Sequence, residues 1–490
     1  MPRSSESVVP LSQSDWLPLV VVLLIASGLR LYHLGTESLW IDEMLSLRDA
    51  SSFTWLEPGY RPLYYFLLQQ WMKLGNGDMW LRSLALLFDL VSVVLIFQLG
   101  RCVVNRAVGT IAALMFALSP MLINHAQEIR MYSPAVCFSL AGTLTLVSAL
   151  EHIRPSRIMA WLVLRVLATI TFPLNVLLIG ADVLLLVWLF RDRRRLLSGF
   201  GIALGGMGLV LLPLVPFVLE FAAKFVDGWA AALKPPNVFN IMTPLVDFST
   251  IWPSYTLTQH GLMLQVGYGL YTLGLTTLVG LAIGDDQRAT KRLYWVAVWA
   301  IAPVIPLLLL SWVSSSLWVP RYFLFTAPYV FILMAQGLVG LYQRQRWLGI
   351  GVAVLYGLAV TSGLGYYYHT TYRDDWKAAA AIVVAQGQPG DLVIQFADIP
   401  RAEWGFERYY QGDLSTYFGA DLLDPNNDLE RENEHISELS PHDIKTILTG
   451  WGWPDSIESR LWLVCRDCGN PNTMAQVEQF LPIVMGAGYT

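Results

Sequence analysis

Charge is scarce in this chain. Only 14% of its 490 residues are Asp, Glu, Lys or Arg, whereas 55% are hydrophobic. A wholly soluble protein of this length needs more surface charge than that, so that class is excluded. A basic face is lacking too. The net charge is −5, which leaves no electrostatic footprint for nucleic acid. Cysteine is rare, with four residues. Cys102 and Cys137 fall in or beside apolar runs, where a buried thiol is expected, and Cys465 and Cys468 form "CRDC". That motif suits a local disulfide, half a metal site or a redox pair. With no second CxxC or His pair nearby, a disulfide comes first if the compartment is oxidising. No small-residue cleavage site follows the first apolar stretch near Trp16; Arg30 and Tyr32 come instead, so a retained span is expected. No internal repeat and no nucleotide-binding fingerprint is visible.

What the chain has is long apolar runs. A span needs roughly 20 apolar residues, and about eleven candidates meet that rule. They fall near 16–34, 80–100, 107–122, 131–150, 158–173, 174–190, 199–221, 262–283, 293–312, 321–341 and 347–367. Short basic loops at 101–106, 152–157, 191–195, 286–292 and 342–346 follow every second span. That alternation places them, and the N-terminus, in the cytoplasm. Residues 1–370 then form a polytopic membrane domain and residues 371–490 an extracytoplasmic soluble domain.

The opposite face is richer in ionisable groups. Asp42, Glu43, Arg61, Asp78, Arg82, His125, Glu128, Arg130 and Arg321 would all lie near one membrane surface, where they suggest a shared polar cavity. "SLWIDEMLSLRDA" as a helix puts Trp40, Ile41, Met44, Leu45 and Leu47 on one face and Asp42, Ser46 and Asp49 on the other. "GYRP" reads as a turn with Pro62 opening a helix, and "LYYFLLQQWMKL" as a second interfacial helix. Two structured helices are more than a plain connector needs.

"SLWIDE" after the first span resembles the C-type (GT-C) membrane glycosyltransferases. The chain is similar to the bacterial group related to protein O-mannosyltransferases and to the aminoarabinose transferase acting on lipid A, a family 39-like type. "RPLYYFLLQQWMKL", "WLRSLALLF", "QEIRMYSPAVCFSLAGTL", "VPRYFLFTAPYVFILMA" and "DDWKAAAAIVVAQGQPGDLVI" agree in order. The resemblance implies a GT-C fold in a bacterial inner membrane. It also implies a sugar taken from a polyprenyl-phosphate carrier and passed, with inversion, to an extracytoplasmic glycolipid, glycan or protein. In that role Asp42 corresponds to the general base, with Glu43 its neighbour in the motif. Arg61 stands where relatives often have His, and "TFPLN" (171–175) lacks another His; both lower the odds of a metal.

The chemistry needs a base for the acceptor hydroxyl, cations for the leaving lipid phosphate and an apolar groove for the carrier. Guanidinium suits phosphate oxygens, so Arg321 with Tyr322, then Arg82 and Arg130, are the candidates to hold the donor phosphate. Arg61, Tyr64, Glu128 and Tyr132 are candidates for substrate binding. Glu128 can pair an arginine, hydrogen-bond a sugar or, with His125, ligate a metal. No metal site is assigned and no cofactor is certain, although a divalent ion is left open. For the arginines the plain alternative is interfacial snorkelling.

The tail reads as α/β: a helix, a "GQPGD" turn and a strand, then "RLWLVCRD" as a strand and a final helix, with an acidic stretch between. Asp374 and Asp375 suit a helix cap. The competing class is a lipid or glycolipid flippase, which would place charged or broken helices at midplane in repeated halves. The spans are apolar at their centres, with Asp89 and Asp182 the exceptions. A sensor would not explain the two interface helices.

Overall fold

In a computed structural model, residues 13–191, 194–227, 233–237, 241–250, 262–284, 291–313, 316–370, 373–396, 404–418, 446, 448–450 and 460–466 are described. The chain forms two compact units, Met1–Leu34 with Ser46–Thr370, and Gly35–Leu45 with Thr371–Thr490.

The first unit is helical: α1 (Gln13–Leu31), the later turns of α2 (Ile41–Ser51), α3 (Pro62–Met72), α4 (Asp78–Val103), α5 (Arg106–Leu118), α6 (Pro120–Ala126), α7 (Tyr132–Glu151), α8 (Pro155–Thr171), α9 (Val176–Phe190), α10 (Arg194–Leu211), α11 (Val215–Asp227), α12 (Thr243–Thr250), α13 (Leu262–Gly284), α14 (Lys291–Ile301), α15 (Val304–Val313), α16 (Ala327–Arg344) and α17 (Arg346–His369). Among the described residues, seven helical segments are long and apolar enough to cross a membrane, or eight if one bent pair counts. The sequence predicts about eleven, and α13 occupies one of the remaining places at 262–283. The stretch at 107–122 is not one straight span: Ser119 caps and Pro120 opens a new helix, so α5 and α6 meet at 63°. The helices α8 and α16 fill two more places, α8 with 17 residues and α16 with Gln336, Gln343 and Arg344 lowering its apolar character.

Close packing of spans uses missing side chains. A Cβ on Gly109 would lie 2.5 Å from the Phe97 carbonyl oxygen, and one on Gly337 2.0 Å from that of Leu278. Only glycine lets α5 lie against α4, and α16 against α13, at such approach.

The two acids near span centres are both paired. Asp89 meets the buried Arg30 of α1. Asp182 of α9 meets Arg165 of α8 at 2.6 Å and also accepts from the indole N–H groups of Trp161 and Trp299, both at 2.8 Å. Arg165 further donates to the Ser139 carbonyl and the Thr143 hydroxyl, at 2.9 Å each. The intramembrane charges are thus neutralised within the helical unit.

The second unit has α18 (Trp376–Gln386), β1 (Leu392–Phe396), α19 (Trp404–Tyr409), β2 (Ser415–Phe418) and β3 (Leu461–Cys465). The strands run parallel in the order β2-β1-β3, with Leu392 opposite Ser415 on one side and Leu461 on the other. The central strand is buried throughout, as a two-sided parallel strand must be. Trp376, Ala380, Val383, Val393, Phe406 and Val464 form the core. Asp375 caps α18 by accepting from the Ala378 N–H at 3.1 Å. The turn before β1 closes at Gly390, whose φ of +95° glycine adopts without strain. Cys465 is disulfide-bonded. Cys468, the acidic stretch and the final helix read from the sequence lie outside the described residues.

Candidate active site

The acidic motif opens α2. Glu43, at the third helical position, reaches back to accept from the Trp40 N–H at 3.3 Å, the carboxylate half of a capping box. It is fully buried, whereas Asp42, one residue earlier and about 100° round the helix, is half-buried. One turn after Asp42, Ser46 is buried and accepts from Arg130 Nη1 at 3.1 Å. Within the second unit, Arg373 Nη1 lies 3.8 Å from Glu43 Oε2 and its Nε 3.5 Å from Glu37 Oε2.

Within the first unit, three guanidinium groups converge. Arg61 immediately precedes α3, where Pro62 starts the helix as the sequence predicts. Arg130 sits just ahead of α7, and Arg321 in the 3-10 turn Pro320–Phe323 before α16. All three act on the Tyr322 hydroxyl, which lies in that same turn. Burial pushes the Tyr322 phenol up to about 12 and neighbouring Tyr132 adds to this; Arg321, Arg61 and Arg130 oppose it. Burial likewise holds Tyr65 well above its ordinary value, against the pull of Arg61. Each cation also faces an aromatic ring: Arg61 over Tyr60 at 4.3 Å, Arg321 over Tyr322 at 5.8 Å and Arg130 over Tyr132 at 6.0 Å. Arg61 is 5% exposed, and its Nε has no hydrogen-bond partner among the described residues. A buried donor left so is costly, and an anion would satisfy it.

Beside this cluster, Glu128 accepts from Asn124 Nδ2 at 3.0 Å and pairs with His125 Nδ1 at 2.9 Å. The His125 ring packs on Tyr132 at 4.8 Å, and Tyr132, Phe172 and Tyr322 follow at 5.6 and 6.2 Å. Among the described residues no three His, Cys, Asp or Glu side chains converge as metal ligands.

Arg82 is fully buried and donates to the Leu34 carbonyl at 3.1 Å, which ties α4 to the segment after α1. Arg61, read from the sequence as a substrate contact, takes its place beside Arg130 and Arg321. Tyr64 is buried against Tyr65, ring centroids 6.0 Å apart. Sequence reasoning passed over Tyr65 and Phe172. The signal for Phe172 was Pro173, which ends α8 and turns the preceding residue outward from the helix. Between α3 and α4 runs an apolar groove of about 370 Å³, lined by Leu67, Trp71, Leu74, Leu84, Leu87 and Phe88 among others. At one end Trp71 and Trp80 stack at 4.6 Å, each indole N–H donating to the other's carbonyl.

Comparison with known proteins agrees with this architecture. Residues 57–219 match the family profile of dolichyl-phosphate-mannose-protein mannosyltransferase. The chain superposes on ArnT from Cupriavidus metallidurans bound to undecaprenyl phosphate with a TM-score of 0.53 at 14% identity, covering 83% of this chain and 86% of that one. Its apo state gives 0.52 at 13%, covering 81% and 85%. The apo oligosaccharyltransferase of Archaeoglobus fulgidus gives 0.53 at 12%, covering 89% of this chain and 68% of that one. No curated protein sequence matches. The protein has the GT-C fold, and the resemblance read from its motifs holds.

Proposed function

We propose that the protein is an integral membrane glycosyltransferase that moves a sugar from a polyprenyl-phosphate donor to an extracytoplasmic acceptor with inversion. The observation that carries this is the electrostatic grouping of Arg61, Arg130 and Arg321 around one half-buried tyrosine, in a fold also adopted by a protein solved with undecaprenyl phosphate. Three cations from separate elements suit the oxygens of one phosphate better than they suit scattered snorkelling. The groove between α3 and α4 offers apolar surface for a carrier chain.

In the reaction Asp42 takes the proton of the acceptor hydroxyl. The acceptor oxygen bonds to the anomeric carbon from the face opposite the phosphate. The bond from that carbon to the phosphate oxygen breaks, and the lipid phosphate leaves with the electron pair and both negative charges, held by the arginines. Glu43 shapes the first turn of α2 through the Trp40 N–H. Glu128, Tyr64 and Tyr132 border the sugar. The alternation of basic loops puts this face outside the cytoplasm and the N-terminus inside.

A flippase would use the charges in mid-bilayer, but those are the paired Arg30–Asp89 and Arg165–Asp182. The test is purified Asp42→Asn protein. It binds undecaprenyl phosphate as the wild type does, and product formation falls by about 10²- to 10⁴-fold, the usual share of a general base. Product is read as glycolipid and glycoprotein masses in a complemented deletion strain. Wild-type product from that variant removes Asp42 from catalysis.

A further inference from the structure

Resting on the transferase function proposed above, we infer that Arg373 is a positioning residue, through which the soluble tail holds the Asp42–Glu43 motif in place. Residues Gly35–Leu45 belong to the same compact unit as the tail, not to the helical body from which they emerge in sequence. The bonds responsible are specific. Arg373 is 7% exposed at its side chain and bridges Glu37 at 3.5 Å and the wholly buried Glu43 at 3.8 Å. Lys377, on the first turn of α18, donates its ammonium to the carbonyls of Gly35, Thr36 and Glu37 at 2.8, 3.2 and 3.3 Å. Its own N–H is bound to the Ser38 hydroxyl at 3.1 Å, and the Leu39 N–H donates to the Tyr409 hydroxyl at 2.8 Å.

Each of five successive residues before α2 thus has a bond to α18 or α19. The last fixed point is Glu43, whose carboxylate is shared by Arg373 and the Trp40 N–H. Asp42 lies between Trp40 and Glu43, so its backbone is set by a carboxylate that the tail orients. A base must sit within hydrogen-bond reach of its proton, and a displacement of about 1 Å can cost 10²-fold in rate. The tail therefore serves the reaction even where it touches no substrate. One further tie braces the clamp: Arg466, next to the disulfide-bonded Cys465, pairs with Asp374 at 2.8 Å, one residue from Arg373.

The test uses the full chain in lipid nanodiscs and reads amide hydrogen exchange in peptides covering 35–45. In parallel, glycolipid and glycoprotein masses are read from a deletion strain carrying each variant. Arg373→Gln speeds exchange in 35–45 by about tenfold or more, with exchange in α7 unchanged, and lowers product. Arg373→Lys, which keeps the charge, restores most of both. Glu43→Gln lowers product as well, and the double variant is no poorer than the poorer single, as expected of a residue acting through another. Lys377→Met moves exchange in the same direction and serves if Arg373→Gln does not fold. Unchanged exchange at 35–45 in both variants overturns the inference whatever the product level. Faster exchange with wild-type product overturns the positioning role. Absence of sugar transfer by the wild-type protein instead removes the transferase function, an outcome the exchange measurement does not depend on.

Discussion

Arg165 and Asp182 meet at 2.6 Å with no exposure to solvent on either side chain; Trp161 and Trp299 donate to the carboxylate, while the Ser139 carbonyl and the Thr143 hydroxyl accept from the guanidinium. A charge so placed is costly alone and tolerable when paired. Arg165→Leu is expected to lower stability by about 3–5 kcal/mol, because Asp182 is left buried and uncompensated. The double variant Arg165→Leu with Asp182→Leu recovers part of that loss. Thermal unfolding in detergent measures both. Equal loss in single and double variants would show that the pair is not the source.

The arginine cluster makes a prediction about binding. Arg61→Gln, Arg130→Gln and Arg321→Gln each weaken undecaprenyl phosphate by about 10- to 100-fold, the worth of a hydrogen bond to a charged group. Native mass spectrometry reads the affinity. Arg82→Gln behaves differently: it loses the bond to the Leu34 carbonyl and lowers the melting temperature. Unaltered binding in all three variants would take the phosphate away from this cluster.

Acid sensitivity of the tail follows from Asp391. Burial alone would raise its pKa, but the Arg460 N–H and side chain, the Trp462 indole and the Gln388 N–H hold the carboxyl below its ordinary 3.8. A carboxylate depressed in the folded state contributes stability that is present above the unfolded value and lost as pH falls through the folded one. The contribution is thus complete at neutral pH, starts to fall below about 3.8 and is gone once pH has dropped past the lower folded value. Asp391→Asn removes this acid-side component. Tryptophan fluorescence, with Trp376 and Trp462 in or against the tail core, follows unfolding between pH 5 and 2. Identical acid profiles for variant and wild type would contradict the assignment.

Helix crossing at Gly109 gives a steric prediction. Gly109→Val places a side chain where the Phe97 carbonyl and the Arg101 N–H already stand, 2.5 and 2.9 Å from the Cβ position. Overpacking of this kind costs about 1–3 kcal/mol. The melting temperature of the purified variant checks it, with Gly180→Ala, which meets nothing within 4 Å, as the control.

Much of this arrangement was legible locally. Pro62 at the start of α3, Asp375 as a cap and the Gly390 turn are decided by neighbouring residues, so sequence chemistry suffices for them. The apolar runs give the helices for the same reason. The bend within 107–122 is not legible from composition, which hides what Ser119–Pro120 does to the backbone. The choice between Arg82 and Arg61 was not legible. Both stand near span ends, and only packing shows that one donates to the Leu34 carbonyl while the other faces Tyr60. Nor could the bond between Arg373 and Glu43 be seen, since nothing periodic links residues so far apart along the chain.

That long separation has a consequence for biosynthesis. A ribosome making this chain releases the Asp42 segment early and the residues that grip it last. Arg373, Lys377 and Tyr409 are translated only after every apolar helix of the body. A truncated product can insert its helices and still lack the hand that steadies its acid. Competence is then conferred at the final stage of synthesis, and prematurely terminated chains in the bilayer stay silent.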